Sequence, residues 1–141
     1  RRVLFRSKVN PNKLQDMPTW AKGIASFNKD HHALSGTPAE CMISENVQCI
    51  SFNELLLEYG VTKIDLLQID TEGYDSEIIL NLPLNKIKPD IIHFEHGLQD
   101  GVMSKETFLK VLEFLNQNGY QLIMENYDAT AYQPLLDLKG I

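Results

Sequence analysis

No stretch of the chain approaches ~18 consecutive apolar residues, and its first six residues, Arg1-Arg2-Val3-Leu4-Phe5-Arg6, carry no apolar core of signal-peptide length. These absences argue against a membrane-spanning helix and a secretory leader, so no membrane partner and a cytoplasmic location are expected. Positive charge is also scarce. Thirteen Lys and Arg against 19 Asp and Glu leave a formal charge of −6, with no basic cluster to meet a phosphate backbone, which disfavours nucleic acid. Cysteine occurs only as Cys41 and Cys49, which flank a predicted turn. Two thiols do not make a disulfide framework, and both are expected to be reduced. The glycines stand apart at positions 23, 36, 60, 73, 97, 101, 119 and 140, so no G-x-G loop exists. The chain begins without Met, which reads as a fragment or a processed product.

What remains is enough for one domain: 141 residues, 43% of them apolar, suffice for a single buried core. Residues 1–46 are rich in Asn, Lys, Ser, Gly and Pro and read as an irregular N-terminal segment of that domain. Within it His31-His32 has no third ligand at metal-site spacing and reads as surface. Residues 47–141 are periodic. Val47-Gln48-Cys49-Ile50-Ser51-Phe52 alternates like a strand, and Ser51 with Glu54 forms a capping box before Leu55-Leu56-Leu57-Glu58-Tyr59. Ile64 to Asp70 is mostly apolar and of strand length, which predicts a central parallel strand covered on both faces. A helix beginning near Asp75 as its cap is stopped by Pro83, and Ile91-Ile92-His93-Phe94-Glu95 is the next strand. Ser104 caps the clearest helix, with Phe108, Val111, Leu112 and Leu115 on one face and Gly119 as its stop. A strand over 120–125 follows, and Ala131-Tyr132-Gln133 suggests a short final one. Strands alternating with helices in this way predict an α/β domain with a largely parallel sheet.

In open parallel sheets ligands bind beyond the carboxyl ends of strands. Asp70, with Glu72 two residues on, closes one apolar strand, and Glu95-His96 closes the next, so these residues are the candidate site. A carboxylate ending so apolar a run is expected to be partly desolvated. His93, inside its strand, reads as a packed, hydrogen-bonded core residue.

The string Asp65-Leu66-Leu67-Gln68-Ile69-Asp70-Thr71-Glu72-Gly73-Tyr74-Asp75 resembles the signature of the FkbM methyltransferase family, as do the Val47-to-Gly60 segment before it and Pro89-to-Glu95 after it. Gly119-Tyr120 and Asn126-Tyr127-Asp128-Ala129-Thr130-Ala131 are similar to the family's end, whereas residues 1–46 match only around Gly23-Ile24-Ala25-Ser26-Phe27. Gln68 stands where the family has Lys, and Asp75 where it has Glu. The resemblance implies a Rossmann-like class I methyltransferase sheet truncated on its N-terminal side. It also implies S-adenosylmethionine as cofactor and a small-molecule acceptor such as a sugar or lipid, methylated on a hydroxyl oxygen. With no Gly-rich loop, the chain alone is expected to hold that cofactor poorly or not at all.

Asp70, Glu72 and Glu95 are the expected catalytic residues. Asp70 orients the acceptor or takes its proton, or touches the cofactor, while Glu72 and Glu95 hold acceptor hydroxyls and His96 contributes to substrate binding. No resident metal is expected, although Asp70, Glu72 and Glu95 are hard ligands that suit Mg²⁺. Two rival readings remain. One is a D-x-E exonuclease, disfavoured because His96 follows Asp70 too closely for that fold and because the chain is acidic. The other is a non-enzymatic α/β binding or assembly module. In the methyltransferase topology the Asp70 strand would leave an open edge, to be covered by a further chain segment, by a homodimer, or by residues 1–46.

Overall fold

Ser104 and Gly119 delimit the longest helix among the described residues, as the sequence pattern requires. The computed structural model of the chain describes residues 24–34 and 36–134, together with the backbone of residues 2–7. The Ser104 hydroxyl accepts the Thr107 N–H at 3.1 Å, starting α4 (Lys105–Gln117). At the other end Gly119, at φ 85°, turns the chain so that the Tyr120 and Gly119 N–H groups close on the Leu115 and Asn116 carbonyls. Phe108, Val111 and Leu115 line one stripe of α4 and are buried. Each contributes about 1.5–3 kcal/mol by leaving water.

The remaining elements, in chain order, are β1 (Arg2–Ser7), β2 (Ala25–Ser26), α1 (His31–Leu34), β3 (Met42–Val47), α2 (Phe52–Glu58), β4 (Leu66–Ile69), α3 (Asp75–Leu80), β5 (Ile91–Glu95), β6 (Gln121–Met124) and β7 (Asp128–Tyr132). They form two sheets, an antiparallel one of order β2-β1-β3 and a four-stranded one of order β4-β5-β7-β6. The chain is thus mixed α/β. The expectation of a largely parallel sheet is corrected: β4 and β5 run parallel, while β5–β7 and β6–β7 are antiparallel. The reason lies in the short 125–127 connection, which permits only a hairpin and so returns β7 between β5 and β6. The strand expected at 131–133 is therefore longer than its apolar pattern suggested, and interior.

Alternation assigns the two faces of the four-stranded sheet. Ile69, Ile92, Phe94, Ala129 and Ala131 point into a cluster with Ile79 of α3 and the buried stripe of α4. Tyr120 closes that core, its hydroxyl donating to the Pro89 carbonyl at 2.6 Å. The opposite face carries Leu66 and Gln68 of β4, His93 and Glu95 of β5, Thr130 and Asp128 of β7, and Ile123 of β6. It is open over much of its area, with Leu66 56% and Ile123 54% exposed.

β4 is accordingly not the central, doubly covered strand that its apolar run predicts. Among the described residues it is an edge, paired only with β5. Coverage of that edge by residues 1–46 is not what the described residues show, because β1 pairs with β2 and β3. The predicted 47–52 strand also moves. Six residues ending at Val47 pair with β1, and Ser51 is left free to cap α2, its hydroxyl accepting the Glu54 N–H. Cys41 and Cys49 are both free, as expected of reduced thiols, but a strand rather than a turn separates them. Among the described residues no helix is long and apolar enough to cross a membrane.

Candidate functional site

Parallel pairing brings the ends of β4 and β5 to one rim. Ile69 lies opposite Phe94, so the next residues, Asp70 and Glu95, are neighbours across the two strand ends. Asp70 is exposed, not the partly desolvated group its apolar strand suggested, because that strand is an edge. It forms part of the wall of an open cleft of about 1040 Å³ that also takes in Phe27, Phe52, Thr71, Tyr74 and Glu77.

Asp75 holds this rim together. The sequence suggests a helix cap, but Tyr74 occupies the cap position and Asp75 is the first residue of α3. Its carboxylate is wholly buried. One oxygen accepts the Thr71 N–H at 3.1 Å and the Thr71 hydroxyl at 2.5 Å, and the other accepts the Glu95 N–H at 3.1 Å. A buried charge satisfied by three donors fixes the loop after β4 to the end of β5.

Glu72 is held in the loop after β4 by contacts from α1 and β2. It adopts a left-handed backbone, φ 53°, which a non-glycine residue tolerates only when its surroundings enforce it. Two contacts do so: the Ser26 hydroxyl donates to its carbonyl at 2.7 Å, and His31 Nε2 meets its carboxylate at 2.8 Å. The surface reading of His31 is therefore corrected; its ring is 3% exposed and clamps the D-T-E-G loop. Phe27 adds an edge-on ring contact with Tyr74 at 5.1 Å. Nothing in the local sequence pattern signals this clamp, since it joins residues more than 40 apart.

Glu95 is the most perturbed acid at the rim. Burial first, and then the negative charges of Glu72, Asp75, Asp70 and Asp128, together push its carboxyl up to about 7. Its Oε2 is buried without a hydrogen-bond partner. A carboxyl that titrates near neutrality can take or give a proton at the rim. His96, expected to touch substrate, instead is 2% exposed and packs on Phe108 at 5.0 Å. Its Nδ1 accepts the Leu98 N–H at 3.2 Å, so Nε2 carries the proton and donates to the Glu125 carbonyl at 3.3 Å. Both nitrogens are thereby occupied within the fold. His93 does make the hydrogen bond expected of it, with the Thr130 hydroxyl at 2.9 Å. It does so on the open face of the sheet and not in the core, because strand alternation gives the core face to Ile92 and Phe94.

Comparison with known protein families gives a match of the methyltransferase FkbM domain to residues 12–122. No curated protein and no solved structure matches the chain.

Proposed function

The chain belongs to the FkbM methyltransferase domain family, and from that premise we propose that it serves S-adenosylmethionine-dependent methylation of a hydroxyl oxygen on a small acceptor such as a sugar or lipid, on a Rossmann-like sheet. One observation carries the reading. The ends of two parallel strands set Asp70 and Glu95 side by side, and Asp70 faces a cleft large enough for a nucleoside-sized ligand.

The cleft chemistry fits such a methyl donor in part. Phe52 and Tyr74 offer rings for a flat base, Asn53 offers hydrogen bonds for ribose hydroxyls, and Asp70 and Glu77 offer negative charge to a cationic ligand. Among the described residues no glycine lines it, so close backbone approach is not part of the fit they offer. When bound, the donor supplies an electrophilic methyl carbon on a sulfonium. The chain's own residues must then place the acceptor oxygen in line and remove its proton. Asp70 suits the first task, because a carboxylate on the cleft wall can accept a hydrogen bond from the acceptor hydroxyl and orient it. Glu95 suits the second: with its carboxyl raised to about 7 it is a better proton acceptor than an ordinary acid. Glu72, bound by His31, supports the loop beside them.

Calorimetric titration of the protein with S-adenosylhomocysteine tests the reading. Saturable binding, weakened by Phe52→Ala, is expected, and an absence of binding overturns it. The open β4 edge, with Leu66 56% exposed, favours a second reading in which the sheet is an assembly surface. That reading requires a mass that rises with concentration in sedimentation and no response to the nucleoside.

A further inference from the structure

The open face of the sheet gathers ligand-type side chains away from the cleft. One ring nitrogen of His93 and one carboxylate oxygen each of Glu125 and Asp128 lie within 4.8 Å of one another. They come from the middle of β5, the turn after β6 and the start of β7. Two features of the fold converge them. Glu125 N–H donates to the Asp128 carbonyl at 2.9 Å, which closes the hairpin and holds both carboxylates at one end. The Thr130 hydroxyl, on the residue opposite His93, engages Nδ1 at 2.9 Å, which fixes the ring and leaves Nε2 for another partner. An outer contact of that kind is what orients metal-binding histidines.

An independent observation at the same place points to a missing positive charge. Glu95 lies directly opposite Asp128 and on the face of His93, and its buried Oε2 has no hydrogen-bond partner. Like charges directly opposite on paired strands repel. Among the described residues the ion pairs involve His31, Lys63 and Lys110, and none reaches Glu95, Glu125 or Asp128.

We propose that His93, Glu125 and Asp128 form a binding site for one divalent transition-metal ion of the Zn²⁺ or Mn²⁺ kind, with Glu95 Oε2 beside it. The imidazole selects against Mg²⁺ and Ca²⁺, which prefer all-oxygen shells. Ligands held about 2.0–2.2 Å from such an ion lie roughly 3–4 Å apart. Glu125, on the surface, can close the remaining gap by a change of rotamer. The ion ties β5 to the β6–β7 hairpin and offsets the negative charge behind the rim. The three ligands line no part of the cleft, and Glu95 beside them is the one group shared with the proposed reaction.

The test is titration of metal-free protein with MnCl₂, followed by electron paramagnetic resonance, and with ZnCl₂, followed by calorimetry. One saturable site is expected, weakened at least about tenfold in His93→Ala and in Asp128→Asn and unchanged in Glu113→Gln, which removes a carboxylate on α4. In the unaltered protein, addition of Zn²⁺ should shift the His93 imidazole resonances in NMR more than those of His32, a readout that needs no variant to fold. The proposal is overturned if binding is absent, if both site variants bind as tightly as the parent, or if Cys49→Ser abolishes binding instead.

Discussion

The carboxylate of Asp75 accepts the backbone N–H of Glu95 at 3.1 Å, across 20 residues of sequence, while its second oxygen holds both the N–H and the hydroxyl of Thr71. Through this one buried side chain the loop carrying Asp70 and the strand end carrying Glu95 are locked to each other. The rim geometry therefore depends on a residue that touches no cleft.

Removing that carboxylate leaves three donors without a buried acceptor. Asp75→Ala is expected to cost about 3 kcal/mol or more, and Asp75→Asn clearly less, since its amide oxygen can still accept from one side. Urea denaturation monitored by circular dichroism measures both. A loss below about 1 kcal/mol in Asp75→Ala would show that the network is dispensable.

Glu95 makes stability depend on pH in a direction opposite to that of most acids. Its carboxyl is raised to about 7 in the folded chain, from an ordinary value of 4.5, so the folded state binds the proton more tightly than the unfolded chain does. The stabilisation is present in full below about 4.5 and is lost as pH rises through 7. Glu95→Gln should therefore raise stability above pH 7 by on the order of 1–2 kcal/mol, after discounting for solvent, and the gain should vanish toward pH 4.5. Thermal melts of both proteins from pH 5 to 8.5 give the comparison; a gain independent of pH would contradict it.

Much of this framework is legible in the sequence because it is local. The Ser51 capping box, the Ser104 and Gly119 ends of α4 and the apolar strands at 66–69 and 91–95 all follow from spacing within a few residues, and the Asp70–Glu95 rim follows once those two strands pair in parallel. The misread features are non-local. An apolar run cannot distinguish a central strand from an edge, since the difference lies in which strands pair beside it. That ambiguity misplaced β4 and the exposure of Asp70. His96 closes a strand as a ligand-binding residue would, yet the Leu98 N–H, the Glu125 carbonyl and Phe108 claim its ring. His31 looked like surface because its partner Glu72 lies on a loop far along the chain.

The contact between His31 and Glu72 should be energetically coupled, because it restrains a left-handed backbone. In a double-mutant cycle of His31→Ala and Glu72→Ala the interaction energy is expected to be about 1–2 kcal/mol, larger than that of an exposed ion pair. Denaturant melts of the four proteins give the value, and a coupling near zero would mean that the loop holds its shape unaided.

Asp70 is exposed, so Asp70→Asn should leave the melting temperature within about 2 °C of the parent. If it orients the acceptor, kcat should fall by about 10²-fold or more while affinity for S-adenosylhomocysteine changes little. Steady-state kinetics with a methyl-accepting substrate, paired with calorimetry, separates the two. Unchanged kcat removes Asp70 from the reaction.

Gly97 sits where β5 leaves the sheet, two residues beyond Glu95, with φ at 47° and its N–H bound to the Tyr127 carbonyl at 3.0 Å. A methyl group there would lie 2.6 Å from Val102 Cβ and 2.8 Å from its Cγ2. Two penalties then act together in Gly97→Ala: the left-handed backbone costs a non-glycine residue about 1–2 kcal/mol, and the overlap forces Val102 to shift, adding about 1–3 kcal/mol. The variant should lose at least about 2 kcal/mol in urea denaturation. Second-site changes separate the penalties. Val102→Ala keeps the Cβ that makes the closest contact and should rescue little, whereas Val102→Gly removes that atom and should recover the steric part, leaving the backbone cost. Equal rescue by both would place the strain at the methyl branches of Val102, and no rescue by either would assign the whole loss to the backbone.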